Sequence, residues 1–273
     1  MENKDKLHGL DLFSGIGGIS CALDEWVRPI AYCEQDRYAQ AVLLSRMASG
    51  DIRQAPIWDD VRTLHEQVLP CSPDIIYGGF PCQDISVAGH GKGLGGERSG
   101  LFFQIMRLAE EIKPAFIFLE NVPAIRTRGL DRVLEELTKK CYDSRWCMLS
   151  AEEIGANHRR QRWFLLAHSR RELRAGSVKF RTDGMETAEQ NAYQSERSSE
   201  MADTKRTGLE GRVQPEKLFT HGGERPAQWW DVEPNVGRVA NGIPKRVDRL
   251  KCLGNAVVPE QAKVAFKYLM GLK

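Results

Sequence analysis

The sequence is short of the features that would place it at once. Its seven cysteines stand at 21, 33, 71, 82, 141, 147 and 252, an odd number at irregular spacing, with no Cys-x-x-Cys pair and no histidine at zinc-ligand offsets. That argues against a disulfide framework and against a structural metal site. Net charge is nearly absent, 39 Lys and Arg against 37 Asp and Glu, so no whole-molecule field announces a polyanionic partner, and any contact with nucleic acid has to come from local patches. No apolar run approaches the roughly 18 residues of a membrane-spanning helix, and the opening MENKDK has no apolar signal core. The expectation is a soluble, cytoplasmic protein with reduced thiols. At 273 residues it is long enough for one large domain, or for one domain and a small second one.

Short apolar runs alternate with helical patterns over the first 170 residues. Leu7 to Phe13 breaks at SGIGG before a helix-like ISCALDEW; RPIAYCE precedes a helical QDRYAQAVLLSRM; PDIIY precedes GGFPCQ; LFFQIMRLAEEI reads as a helix stopped at Lys113-Pro114; AFIFL reads as a buried strand ending at Glu120. Strands alternating with helices of this length predict an α/β fold, a Rossmann-like, mostly parallel sheet with helices on both faces. RWCMLS and RWFLLA read as a closing pair of strands. Aliphatic residues then become scarce, and the span 168–237, rich in Arg, Glu, Ser and Gly, cannot build much core of its own. The expected organisation is a main domain over 1–167, a small irregular insert over 168–237, and a C-terminal segment over 238–273 that packs back through a helix opened by Pro259. Within the insert AHSRRELRAG and ADTKRTGLEG echo each other 35 residues apart, too few copies for a solenoid.

In open parallel sheets ligands bind beyond the carboxyl ends of the strands. Phe13 is followed by SGIGG, Cys33 by Glu34, Tyr77 by GGFPCQ, and Leu119 by Glu120 and Asn121. One edge thus receives a glycine loop, two carboxylates and a thiol. A glycine loop alone could be a plain turn, but Glu34 follows Gly15 by 19 residues, close to the spacing at which a strand-end acid meets ribose hydroxyls. Glu120 could merely cap a neighbouring backbone; beside a reactive thiol and a cofactor it becomes a candidate acid with a raised pKa. DLFSGIGG lacks the full Gly-x-Gly-x-x-Gly spacing and any following Lys-Ser/Thr. An adenosine cofactor without phosphates, S-adenosylmethionine, suits it better than a dinucleotide.

With these pieces in order, the sequence resembles the DNA cytosine-5 methyltransferases. DLFSGIGG resembles the first motif of that family, YCEQD the second, WDDV the third, GGFPCQDIS the Pro-Cys-Gln nucleophile loop, LENVP the Glu-Asn-Val motif, NHRRQRWFLLA the Gln-x-Arg-x-Arg motif and LGNAVVP the closing Gly-Asn motif. His158 stands where the family usually has Gln, and Asn157 where Pro is common, so the arginine motif rests on Arg160 and Arg162. The insert occupies the place of the target-recognition region.

The resemblance implies an enzyme that moves a methyl group from S-adenosylmethionine to C5 of a flipped-out cytosine in a specific sequence of double-stranded DNA, leaving S-adenosylhomocysteine and needing no metal. Cys82 would attack C6, activated by charge from Arg160 or Arg162; Glu120 would hold the N3/N4 edge and protonate N3; Arg162 would contact O2. Gln83, Ser86 and Asn121 would serve the substrate side, Asn121 by supporting the loop. The cofactor would lie against Phe13, Ser14, Gly15, Ile16, Gly17 and Gly18, with Glu34 and Gln35, Asp60 and Val61, Pro81, Leu101, and Asn255, Ala256 and Val257. The glycine-rich VAGHGKGLGGERSG after Cys82 would be a lid over DNA. Arginines of the insert with Trp229 and Trp230 could read phosphates and base edges, or could be solvated surface and core. A monomer is expected, and a cognate restriction endonuclease would act on the same site without stable contact. Competing readings are an RNA cytosine-5 methyltransferase, a catalytically silent DNA-binding relative and, third, a nicotinamide-dependent oxidoreductase.

Overall fold

The computed structural model describes residues 6–80, 100–170 and 246–272. Residues 81–99 and 171–245, which hold Pro81, Cys82, Gln83, Ser86, the expected lid and nearly all of the insert with Trp229 and Trp230, lie outside the described residues.

Strand β5 (Phe116–Asn121) shows why the apolar runs become strands. Phe116 and Phe118 face one side of the sheet and Ile117 and Leu119 the other, and none of the four is more than 3% exposed. A strand buried on both faces has to be apolar at every position, which is the pattern of a parallel sheet covered by helices. Before it run β1 (Leu7–Leu12), α1 (Gly18–Leu23), β2 (Val27–Cys33), α2 (Arg37–Ser49), β3 (Ile57–Trp58), β4 (Ile75–Gly79) and α3 (Leu101–Ile112). After it come α4 (Ile125–Arg128), α5 (Leu130–Lys139), β6 (Tyr142–Leu149), β7 (Arg162–Ser169), α6 (Arg246–Asn255) and α7 (Pro259–Met270).

The seven strands form one sheet in the order β3-β2-β1-β4-β5-β7-β6. The first five are parallel, and β7 runs antiparallel to both β5 and β6. The closing pair of strands is therefore a hairpin that completes a mixed α/β sheet. β7 continues through Ser169. On one face Phe102, Ile105 and Ala109 of α3 and Val133 and Leu137 of α5 cover Leu10, Ile76 and Ile117. On the other, Ile19 and Leu23 of α1 and Ala262, Phe266 and Leu269 of α7 cover Tyr77, Phe118 and Phe164. Each large side chain removed from water in this way contributes about 1.5–3 kcal/mol.

Local signals set the helix ends. Asp36 caps α2, its Oδ1 accepting from Tyr38 N at 2.9 Å and Ala39 N at 3.2 Å. Lys113 takes a left-handed conformation and Pro114 follows, ending α3 where the sequence predicts. Pro259 opens α7 and Gly271 closes it. Two elements carry little sequence signal. β3 has only two residues, whose pairing with Tyr32 and Cys33 depends on the neighbouring strand. α6 ends in Leu253, Gly254 and Asn255, which read as a loop because Gly and Asn are poor helix formers; tertiary contacts described below hold them.

Candidate active site

The direction in which strands are added reverses between β1 and β4, and the loops after these two strands open on the same edge. In sheets of this kind that reversal leaves a crevice. Here it is a cavity of about 890 Å³, lined from the ends of β1, β2, β4 and β5, the loop after β3, the start of β7 and the connection between α6 and α7.

The first flank is built on the glycine loop. Phe13 and Gly15 both have φ 55 and Gly17 has φ 79, so the chain leaves β1 through a series of left-handed steps. Ser14 anchors the turn: its backbone N donates to Cys33 O at 3.1 Å, its Oγ donates to Asp11 O at 2.9 Å, and Cys33 N donates back to that Oγ at 3.2 Å. Glu34, at the end of β2, accepts from Gly15 N on Oε2 and from Asp36 N on Oε1, both at 2.7 Å. Two backbone donors thus fix the carboxylate at the loop. Beneath it Asp11 is wholly buried; Ser20 Oγ donates to its Oδ2 at 2.5 Å and lies 2.7 Å from the Tyr77 hydroxyl. Burial pushes the Asp11 carboxyl up to about 7 in spite of the Ser20 and Ser14 hydroxyls. Asp59, Asp60 and Val61 close this flank after β3.

The second flank is built on β5 and β7. Glu120 Oε1 lies 2.9 Å from Arg162 Nε, and the two side chains are 12% and 15% exposed. Desolvation outweighs the attraction of Arg162 and Arg160 and raises the Glu120 carboxyl to about 7. The other carboxylate oxygen lies against Gly79, where a Cβ would come within 2.6 Å of Oε2, so a side chain at 79 would displace the Glu120 carboxylate from this position. Asn121, also buried, donates from Nδ2 to Phe80 O at 2.8 Å and accepts from Val122 N at 2.8 Å. It ties β5 to Phe80, the last described residue before Pro81 and Cys82, at a point beside Glu120.

The structure brings Phe13, Ser14, Gly15, Ile16, Gly18, Glu34, Gln35, Asp60, Val61 and Leu101 together with Glu120, Asn121, Arg162, Asn255, Ala256 and Val257 around this one cavity. Two expected members turn elsewhere. Gly17 faces away, where a Cβ would meet Leu43 Cδ2 at 3.1 Å and Ile52 Cδ1 at 3.2 Å, because its left-handed backbone directs that side toward α2. Arg160 points to the C-terminal segment, its Nη2 donating to Gly254 O at 2.8 Å and to Ala256 O, and its side chain does not line the cavity. Sequence reasoning missed Asp36, Lys251, Cys252 and Gly254, which also line the wall. The signal available for them was only their nearness to YCEQD and to the Gly-Asn motif.

The family model for C-5 cytosine-specific DNA methylase matches residues 7–227. The chain belongs to that family. Among curated members it is 37% identical over 159 residues to the type II methyltransferase M.CviJI of Paramecium bursaria Chlorella virus IL3A, covering 58% of this chain and 42% of that one. It is 33% identical over 175 residues to M.HhaI of Haemophilus parahaemolyticus, covering 61% and 51%. The chain thus spans about half the length of these curated relatives or less. Among solved structures, a DNMT2 mutant of Spodoptera frugiperda shares the fold at TM-score 0.50 and 20% identity, covering 60% of this chain and 50% of that one. Dnmt2 of S. pombe shares it at TM-score 0.50 and 22% identity, covering 60% and 51%. No described helix is long and apolar enough to cross a membrane, and the described residues hold no group of three or more His, Cys, Asp or Glu suited to a metal ion.

Proposed function

We propose that the chain methylates C5 of cytosine in duplex DNA with S-adenosylmethionine as cofactor. The observation that carries this reading is the buried Glu120–Arg162 pair, 2.9 Å apart, at one end of a cavity whose other end is the Glu34-bound glycine loop.

The residues fit the cofactor. Gly15 N–H is occupied by Glu34, and the flank carries Glu34, Asp36, Asp59 and Asp60. Such a surface repels a polyphosphate and suits a cation bearing hydroxyl and amino groups. Glu34 keeps free lone pairs for ribose hydroxyls, Asp60 would take the adenine amino group, and Phe13 would pack on the ring. S-adenosylmethionine, when bound, supplies the methyl group that C5 accepts.

On the base side the chain's own residues prepare C5. C5 of cytosine is a weak nucleophile; when the Cys82 thiolate forms an Sγ–C6 bond and N3 takes up a proton, the C5 centre becomes enamine-like. Glu120 is suited to be that donor, because at a pKa raised to about 7 it still holds its proton near neutrality. Arg162 would bind O2 while orienting Glu120, and Asn121 would hold the base of the Cys82 loop. After transfer a base takes the C5 proton, that electron pair forms the C5=C6 bond as the Sγ–C6 bond breaks to restore the thiolate, and N3 returns its proton to Glu120. None of this is possible on a stacked base, so the cytosine has to be extruded. Residues 168–237 are assigned the reading of the target sequence, and the chain acts as a monomer.

Transfer of labelled methyl to unmethylated duplex DNA tests the reading, with modified positions read by bisulfite sequencing. Methylation in one fixed context, lost in Cys82→Ser, is expected. Transfer to RNA but not to duplex DNA, or transfer that persists in Cys82→Ser, would overturn it.

A further inference from the structure

Arg160 and Arg162, the arginines on which the motif rests, stand two residues apart, and the structure sends them in opposite directions. Arg162 opens β7 on the same face as Glu120, since Glu120 pairs with Phe164 across the sheet and Arg162 is two residues before Phe164. Arg160 precedes the strand with φ 21 and swings out of the extended path. Both N–H groups of its Nη2 are spent on backbone carbonyls, Gly254 O and Ala256 O.

Gly254 O belongs to the last turn of α6 and Ala256 O to the residue just after it. The last four C=O groups of a helix have no partner inside it, and the aligned peptide dipoles leave that end negative. A guanidinium from elsewhere in the chain is a suitable cap, and its hydrogen bonds are charge-assisted. The contact is returned from the other side: Gln261 of α7, fully buried, donates from Nε2 to Arg160 O at 2.9 Å and to Leu149 O at 2.7 Å. The connection between α6 and α7 is thus clasped to the β6–β7 hairpin twice. Gly254 and Asn255 are themselves exposed, so they have little burial to hold them. Beyond the clasp, Val257 packs on Gly18, where a Cβ would lie 2.9 Å from Val257 Cγ1, and Lys251 Nζ reaches Asp36 Oδ2 at 2.6 Å.

We infer that Arg160 is a positioning residue for the cofactor-side wall, which it builds by capping α6, so that the two arginines divide the work: Arg162 for the target base, Arg160 for cofactor affinity. The inference rests on the cavity being the cofactor site, as proposed above. It also makes the wall depend on the hairpin that carries Arg162, a mechanical link between the two ends of the cavity.

Calorimetric binding of S-adenosylhomocysteine, with hydrogen exchange over residues 251–258, tests it on the full chain. Arg160→Met should weaken binding about tenfold or more, as expected when charge-assisted bonds are lost from a wall. Arg160→Lys, a point charge within reach of both carbonyls, should recover most of the loss. Exchange should quicken in 251–258 and not in β5. In turnover the KM for cofactor should rise with kcat at saturation within about threefold of wild type, whereas Arg162→Met should lose kcat and keep cofactor affinity. Wild-type affinity and unchanged exchange in Arg160→Met would overturn the inference, as would exchange that quickens throughout β5 and β7, since that is general destabilisation. If Arg160→Met does not fold, Arg160→Gln, which keeps a polar group but is too short to reach both carbonyls, decides: loosening confined to 251–258 supports the inference, and none refutes it. A wild type that binds no S-adenosylhomocysteine would instead sink the cofactor assignment, and the exchange result would still decide the clasp.

Discussion

Glu34 and Glu120 stand at matching strand ends on either flank of one cavity, yet their surroundings make them different reagents. Glu34 accepts two backbone N–H groups, from Gly15 and Asp36, and is held as an acceptor at the glycine loop. Glu120 instead faces Arg162 from a desolvated pocket, and burial raises it to about 7. Backbone donors fix the orientation of a carboxylate, and desolvation disfavours its charged form. The difference teaches that one residue type can serve as a fixed ligand at one end of a crevice and as a proton carrier at the other, according to what the fold places beside it.

The sharpest way to break this division is Glu120→Gln. It should lower single-turnover methyl transfer by about 10²–10⁴, the usual range for a general acid, with binding of S-adenosylhomocysteine within about twofold of wild type. Equal losses in both would show that the flanks are not separable. Glu34→Ala should behave in reverse, weakening cofactor binding by about tenfold or more and lowering stability by about 1–3 kcal/mol as Gly15 N–H and Asp36 N–H lose their acceptor; calorimetry and thermal denaturation read the two effects.

A pH profile sharpens the comparison further. If the Glu120 proton is used in the reaction, the rate should fall as pH rises through about 7, by about tenfold per unit once the group is ionised. Stability moves in the same direction: a carboxyl raised in the folded state binds its proton more tightly there than in the unfolded chain, so the fold weakens as pH climbs from the ordinary carboxylate range to about 7. Asp11 adds to that slope with the same sign. In Glu120→Gln the rate limb should vanish and the stability slope should shrink. A profile flat through neutrality in the wild type would deny Glu120 its role. The smallest effect belongs to the exposed Lys251–Asp36 contact: Lys251→Met should cost less than about 1 kcal/mol, and salt should erase the difference. A larger loss would mean that this contact, rather than Arg160, holds the wall.

Much of this arrangement can be read before any coordinates. DLFSGIGG, Glu34 and Glu120 follow apolar runs, and a run that breaks on glycines or a carboxylate announces a strand end carrying polar groups. The family motifs added the order in which those ends appear. What escaped were contacts between residues far apart in the chain. The wall from Lys251 to Val257 meets α2 and β7 across more than ninety positions, so no local spacing reports it. Asp11 looks like an ordinary strand residue, and only the packing of Tyr77 and Ser20 around it reveals its burial.

The alternation of runs, the glycines that break them and the acids that follow them were enough to establish an α/β sheet and to gather a glycine loop and carboxylates at one edge. They could not say which arginine stands beside Glu120. That was decided by pairing register, which sets Arg162 beside Glu120 on one face of β7, and by the bend at Arg160, which carries its guanidinium to the open end of α6. Side-chain direction at a strand end depends on the neighbouring strand and on backbone angles, and both are properties of the folded chain.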